Sequence, residues 1–164
     1  EDALQATEEA VAIRRKLAQD RPDAFLPDLA RALNNLSVDL SNLGRREDAL
    51  QATEEAVAIR RKLAHDRPDA FLPELSVSLS VLADCLEASG RTKEALNPSR
   101  EAIVALAPAF LRHPQAEAGR MAQWCQEYVE RCEKLEMTPD QELLGPIIKV
   151  FEGLQSSGEN NPPI

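Results

Sequence analysis

The stretch EDALQATEEAVAIRRKLA, residues 1–18, recurs letter for letter at residues 47–64, and RPDAFLP at residues 21–27 recurs at residues 67–73. The sequence therefore repeats with a period of 46 residues. Periods of about 20 to 50 residues are typical of solenoids, in which each unit buries its apolar face only by stacking on its neighbours. The repeat thus predicts a solenoid.

Each unit has the pattern of a hairpin of two helices. In the first helix, leucines spaced 4, 3, 4, 3 lie on one helical face: Leu29, Leu33, Leu36, Leu40 and Leu43. Gly44 ends this helix. The second helix begins with acidic Glu47 and ends near basic Arg60, which suits the helix macrodipole. We expect RPDAFLP to be a linker, with Pro68 and Pro73 bracketing the turn into the next unit.

The pattern continues with decreasing similarity toward the C-terminus. The second unit repeats the stripe as Leu75, Leu79, Leu82 and Leu86, and Pro98 either kinks its second helix or restarts it. Residues two periods after the first stripe keep its spacing and predict a third helix over residues 119–136: Met121, Cys125, Tyr128, Cys132 and Leu135. A last helix is predicted to start with Thr138 as its cap and Pro139 in its first turn, and to bend at Gly145 and Pro146.

The predicted fold is all-α, a right-handed superhelical solenoid of antiparallel helical hairpins with about seven helices. The repeats span residues 1–112, as a half unit (1–27), a full unit (28–72) and a second unit (74–112). A degenerate capping helix pair follows at 113–154, and residues 155–164 form a disordered tail. Because Glu1 falls inside a repeating unit, we expect the natural protein to continue upstream.

Composition narrows the class of partner. The 28 acidic and 19 basic residues leave a net charge of −9, which argues against nucleic acid as a ligand. No apolar run approaches the length of about 18 residues that a membrane span needs, so no membrane is expected as a partner. Three cysteines without C-x-x-C spacing favour a reducing, cytoplasmic location and neither a disulfide framework nor a metal site. We expect no cofactor.

Residues 33–45 and 79–91 have the same spacing of leucines, a small residue and a Gly-Arg pair. This spacing resembles the tetratricopeptide repeat. Leu33 and Leu79 stand where that family often has Trp, Leu40 and Leu86 where it often has Tyr, and Ser37 where it has a small residue. The unit of 46 residues is longer than the common form and is similar to the long-helix repeats of kinesin light chains and STAND-type signalling proteins. The resemblance implies a protein-interaction scaffold.

In such solenoids the first helices line a concave groove, which lies opposite the leucine stripe. The predicted groove residues are Arg31, Asn34, Val38 and Asn42 in the first full unit, Val77, Ser80, Asp84 and Glu87 in the second, and Gln123, Gln126, Glu130 and Glu133 in the third. Acids gather at the C-terminal end of this set. We therefore predict a peptide or partner segment with Lys or Arg as the ligand.

Catalysis is not expected. The adjacent pair Glu8 and Glu9 points in different directions on a helix, and its verbatim duplication indicates a solvated scaffold face. Cys125, Cys132 and Trp124 lie on or beside the apolar stripe and are predicted to be packing residues. Two alternatives stay open: a structural module that self-assembles through open repeat ends, above all its N-terminal face, and the sensor part of a larger STAND-type protein.

Overall fold

A computed structural model of the chain describes residues 2–159, which form seven α-helices and no strand. The helices are α1 (Asp2–Asp20), α2 (Pro22–Asn42), α3 (Arg46–Asp66), α4 (Pro68–Ala88), α5 (Thr92–Arg112), α6 (Pro114–Lys134) and α7 (Gln141–Glu159). Each helix packs against the next one along the chain, and α2 also contacts α4. The all-α solenoid of helical hairpins predicted from the sequence is confirmed.

The hairpins repeat in a fixed order. We call α2, α4 and α6 the A helices, and α1, α3, α5 and α7 the B helices. Each A helix forms a hairpin with the B helix that follows it, and α1 is a B helix that precedes the first complete hairpin. Because α3 is antiparallel to both α2 and α4, these two A helices run parallel to one another.

Single-residue turns join each B helix to the next A helix. At Arg21, Arg67 and His113 the backbone leaves the helical region, with φ between −140 and −135° and ψ between 65 and 77°. A proline follows each of them, and the residue before proline is disfavoured in the helical conformation. The proline itself begins the next helix, where its missing N–H costs nothing.

The segment RPDAFLP is therefore not a linker, and that expectation was wrong. Pro22 and Pro68 occupy the first helical position, whereas Pro27 and Pro73 lie inside α2 and α4. The guanidinium of Arg21 lies 5.0 Å from the ring centre of Phe25. Arg67 and Phe71 repeat this contact at 4.8 Å, so the segment forms the same first turns in both repeats.

All three A helices end with the same backbone geometry. Gly44 and Gly90 both have φ of +75°, and Glu136, which lies 46 residues after Gly90, has φ of +55°. In each repeat the backbone amide of the next residue donates a hydrogen bond to the backbone carbonyl five residues earlier. These bonds run from Arg45 to Leu40 (2.9 Å), from Arg91 to Leu86 (2.8 Å) and from Met137 to Cys132 (2.9 Å). This is the Schellman pattern, which favours glycine at the left-handed residue. The third unit thus keeps the turn of the first two without its glycine.

The apolar stripe forms the core that runs between the helices. Leu33 and Leu79 are 2% and 0% exposed, and Met121 and Cys132 take up the corresponding stripe in α6 at 0% and 1%. Trp124 is also buried, in a cluster with α5 and α7 side chains, so it is a packing residue as predicted.

The last helices decide one alternative and differ from the expectation in one detail. Pro98 lies inside one continuous helix, α5, so this helix does not restart there, and Pro146 lies inside α7. The cap of α7 is Asp140, whose Oδ1 accepts a hydrogen bond from the Leu143 amide (3.1 Å), and the expected start at Thr138 and Pro139 was wrong. A carboxylate at this place satisfies a free amide of the first turn. α7 continues through Glu159 into the expected tail, whose residues 160–164 lie outside the described part of the chain.

Candidate functional site

The exposed side chains of the three A helices form the surface where the sequence places a partner. Arg31, Val38 and Asn42 are exposed on α2, and Val77 and Asp84 on α4. On α6 the exposed members of the predicted set are Gln123, Gln126, Glu130 and Glu133. We call this set the A-helix surface.

Two predicted residues are used in contacts between A helices. Asn34 is half-buried and donates a hydrogen bond to Ser78 Oγ on α4 (2.9 Å). Ser80 is buried, and its hydroxyl donates to Glu127 Oε2 on α6 (3.4 Å). These side chains hold neighbouring A helices together rather than facing a ligand.

The acids in the middle of the surface are bound by basic residues of the chain. The buried guanidinium of Arg131 donates from Nη2 to Asp84 Oδ1 (2.5 Å) and from Nε to Glu87 Oε2 (2.9 Å). Lys134 also pairs with Glu87. Arg131 and Lys134 therefore offset the negative charge of the two carboxylates, which were predicted to bind a basic ligand.

The pKa values of these two carboxyls shift in opposite directions. The hydrogen bond from Lys134, helped by Arg131, lowers the pKa of Glu87. Partial desolvation raises the pKa of Asp84, although its side chain is 57% exposed and Arg131 acts against the shift. Arg131 was missing from the predicted site; the repeat period places it at the position of Cys85, and nothing in the sequence links that position to Asp84 and Glu87.

The acids at the C-terminal end of the surface have no such partner. Glu130 accepts a hydrogen bond from the Gln126 amide (2.9 Å), and within residues 2–159 neither Glu130 nor Glu133 forms a salt bridge. Both carboxylates are exposed. Residues 114–159 carry nine acidic and four basic residues, so this hairpin is the part of the surface where a cation is attracted.

An apolar cleft lies beside these two acids, between α6 and α7. It has a volume of about 460 Å³. Its apolar lining consists of Cys125 and Val129 from α6 and Leu144, Ile147, Ile148 and Phe151 from α7, and its polar lining consists of Gln126, Glu130 and Glu133. Ile148 is 47% exposed, which is high for an isoleucine beside a core. The cleft thus combines exposed apolar side chains with three of the predicted site residues.

Burial keeps the thiol in this cleft mostly protonated. Burial raises the pKa of Cys125 to about 11, so the thiolate is scarce at neutral pH. Burial also raises the pKa of Cys85, whose Sγ lies 3.5 Å from Thr53 Oγ1. No group of three or more His, Cys, Asp or Glu side chains within the described residues has the geometry to hold a metal ion.

The comparison with protein families found a match to one part of the chain. A family model described as tetratricopeptide repeat matches residues 29–69. A search of curated protein sequences found no match. None of the helices in the described region has the length and hydropathy to cross a membrane. The matched segment and the seven described helices in a repeating pattern support a repeat protein of the tetratricopeptide type, and repeats of this type generally mediate protein–protein interactions.

Proposed function

We propose that this tetratricopeptide-type repeat protein binds a basic segment of a partner protein, without catalysis, at the C-terminal end of its A-helix surface. The observation that carries the proposal is the apolar cleft between α6 and α7 with Glu130 and Glu133 beside it. Three free thiols suit a cytoplasmic place for this interaction.

The cleft suits a ligand with one large apolar side chain. Binding sites are concave, mostly apolar and provided with a few polar groups that orient the ligand, and the α6–α7 cleft has these properties. An aliphatic or aromatic side chain in the cleft would cover Ile148 and Val129, which are at present partly exposed. Removal of this apolar surface from water supplies the affinity.

The carboxylates select the charge of the ligand. Glu130 and Glu133 lie one helical turn apart on α6, so a Lys or Arg beside the apolar anchor can approach either of them. Asp84 and Glu87 contribute less, because a ligand would have to displace Arg131 to reach them. The proposed site is therefore nearer to the C-terminus than the centre of the predicted groove.

Selection of peptides followed by matched charge reversal tests the proposal. Peptides enriched on the full chain from a random display library are titrated calorimetrically against the wild type and against Glu130→Lys/Glu133→Lys. We expect enriched peptides to contain a basic residue beside an apolar one, and the double variant to bind them at least about tenfold more weakly.

The control variant Glu9→Lys/Glu54→Lys carries the same charge change at exposed positions of α1 and α3 and should bind within about twofold of the wild type. Ile148→Ser tests the apolar part of the site at a position that is already exposed. Equal loss of affinity in both charge-reversed proteins would show only a general electrostatic effect. Full affinity in Glu130→Lys/Glu133→Lys would place the site elsewhere and overturn the proposal.

A further inference from the structure

A buried arginine without a partner lies between the first two A helices. Arg60 of α3 is only 7% exposed. Its Nε atom is fully buried and has no hydrogen-bond partner, whereas Nη1 and Nη2 stay accessible to solvent. Within residues 2–159 Arg60 also forms no salt bridge. A guanidinium keeps its charge in a protein, so its burial without a partner lowers the stability of the fold.

The surroundings of this guanidinium belong to α2 and α4. It interacts electrostatically with Asp28 and Arg31 of α2 and with Glu74 of α4. One turn further along α2, the Oδ1 atom of Asn34 is also fully buried without a hydrogen-bond partner. Helices α2, α3 and α4 are all part of the described chain. The unmet polar groups therefore lie in a complete repeat.

The acids nearest to Arg60 do not neutralise it. Asp28 is already paired, because its Oδ1 accepts a hydrogen bond from Arg31 Nη2 (2.7 Å). Glu74 is exposed and forms no salt bridge with any residue of the described chain. Burial, the largest influence on the pKa of Arg60, lowers it. The groove between α2 and α4 therefore contains a positive charge that the chain itself does not pair.

The next repeat shows that an apolar side chain fits at this position. Leu106 of α5 lies 46 residues after Arg60 and is 0% exposed, in a core cluster with α6 side chains. A leucine at this place needs no partner and buries apolar surface. Arg60 therefore lowers stability where an apolar residue would raise it, and such local conflicts are typical of positions that serve binding.

We propose that Arg60 binds a carboxylate side chain of a partner protein in the groove between α2 and α4, with Arg31 beside it. A carboxylate can accept hydrogen bonds from Nη1 and Nη2 together, and such charge-assisted pairs are strong. Arg31 is exposed on the A-helix surface and adds positive potential. This carboxylate site is separate from the α6–α7 cleft, where Glu130 and Glu133 select a base, and it does not depend on that cleft.

Titration of the full chain with N-acetyl-glutamate N-methylamide tests the proposal. This probe is a single Glu side chain with capped ends, and arginine Nε resonances in NMR spectra of nitrogen-labelled protein report its binding. The resonance of Arg60 is the one that disappears in Arg60→Leu. We expect this resonance and the Ser78 backbone amide to shift to saturation in the wild type. The glutamine analogue of the probe has no charge and should cause no saturable shift.

Two leucine substitutions on α3 separate binding from stability. Arg60→Leu should abolish the saturable shift of the Ser78 amide and should raise the midpoint of thermal unfolding, as the burial of Leu106 indicates. Lys62→Leu removes the same charge at an exposed position two residues away and should bind the probe within about twofold of the wild type.

Two further variants keep the test decisive. If Arg60→Leu does not fold, Arg31→Gln at its exposed position gives a second test and should weaken binding of the probe at least about threefold. Glu130→Lys/Glu133→Lys should bind the capped glutamate as well as the wild type does. The carboxylate site and the α6–α7 cleft can therefore fail independently.

Three outcomes would overturn the proposal. Equal shifts of the Ser78 amide in Arg60→Leu and in the wild type would place the probe elsewhere. If the wild type does not bind the probe and Glu74→Gln alone moves the Arg60 resonance, the carboxylate of Glu74 occupies the site. If inorganic phosphate binds more tightly than the capped glutamate, the ligand is a phosphate and not a carboxylate.

Discussion

Arg131 and Cys85 occupy equivalent positions 46 residues apart, and each contacts a hydroxyl side chain that lies 32 residues earlier. Cys85 Sγ lies 3.5 Å from Thr53 Oγ1, and Arg131 Nη1 donates to Ser99 Oγ at 3.0 Å. Asp39, one repeat before Cys85, accepts a hydrogen bond from Thr7 Oγ1 (2.9 Å). The repeat thus keeps one polar contact between each A helix and the preceding B helix while the residue on the A helix changes from acid to thiol to base.

Replacement of Arg131 should destabilise the chain. Arg131→Met keeps an unbranched apolar stem but removes the hydrogen bonds of the guanidinium to Asp84, Glu87 and Ser99. We expect the free energy of unfolding to fall by about 1 to 3 kcal/mol, measured by urea denaturation. Arg112→Met, which breaks an exposed pair with Asp69, is the control and should change stability by less than about 1 kcal/mol. Equal effects of the two substitutions would contradict a special role for Arg131.

The loss of stability at acid pH should depend on Glu87. Its pKa is lowered in the folded chain, chiefly by the hydrogen bond from Lys134, so its ionised form stabilises the fold above the unfolded pKa. That contribution is lost as the pH falls through the folded pKa. Glu87→Gln should therefore lose less stability than the wild type between pH of about 7 and about 3, in a series of urea titrations.

The third A-helix turn offers a stabilising substitution. Glu136 has a left-handed backbone, where a residue with a Cβ is strained, so Glu136→Gly should gain about 0.5 to 1 kcal/mol in unfolding free energy. Gly44→Ala should lose about 1 kcal/mol for the same reason, although a Cβ added at this position would meet no other atom within 4 Å. Glu136→Gln keeps the backbone strain and is the control for loss of charge. A gain in Glu136→Gln equal to that in Glu136→Gly would assign the effect to charge.

Truncation of a core leucine should lower the free energy of unfolding far more than truncation of an exposed leucine from the same sequence pattern. Leu79 is 0% exposed, so Leu79→Ala should reduce the unfolding free energy by about 2 to 5 kcal/mol. Leu43 is 56% exposed although it continues the leucine spacing of α2, and Leu43→Ala should change stability by less than about 0.5 kcal/mol. Differential scanning calorimetry gives both values. A large loss of stability in Leu43→Ala would contradict the exposed position of this side chain.

Cys125 reports occupancy of the α6–α7 cleft. With a pKa of about 11, its thiol is about one thousandth ionised at pH 8, so alkylation by iodoacetamide should be slow and should accelerate with rising pH. Mass spectrometry of peptides identifies the modified cysteine. A basic, apolar peptide that binds in the cleft should slow modification of Cys125, and unchanged rates with bound peptide would place that peptide outside the cleft.

The sequence predicted the helical repeat because its strongest signal, the stripe at Leu29, Leu33, Leu36 and Leu40, is the core itself. The bounds of the helices were harder to predict, because proline near a turn fits either a linker or the first turn of a helix, as at Pro22 and Pro68. The arrangement of charges depends on contacts between helices of neighbouring repeats. Arg131 pairs with Asp84 and Glu87, more than 40 residues earlier, and no local sequence pattern indicates this pairing. The α6–α7 cleft also depends on how α7 lies, which the periodicity of α6 does not determine.

The single-residue turns also influence how the chain folds. Packed helices are mostly neighbours along the chain, so closing each contact requires only a short loop, and such low contact order favours rapid folding. Helix α2 lies between α1 and α3. Residues 2–18 of α1 and residues 48–64 of α3 have the same sequence. A nascent α2 therefore meets the same chemical partner on either side. We therefore expect folding to be able to start from either pair, α1 with α2 or α2 with α3.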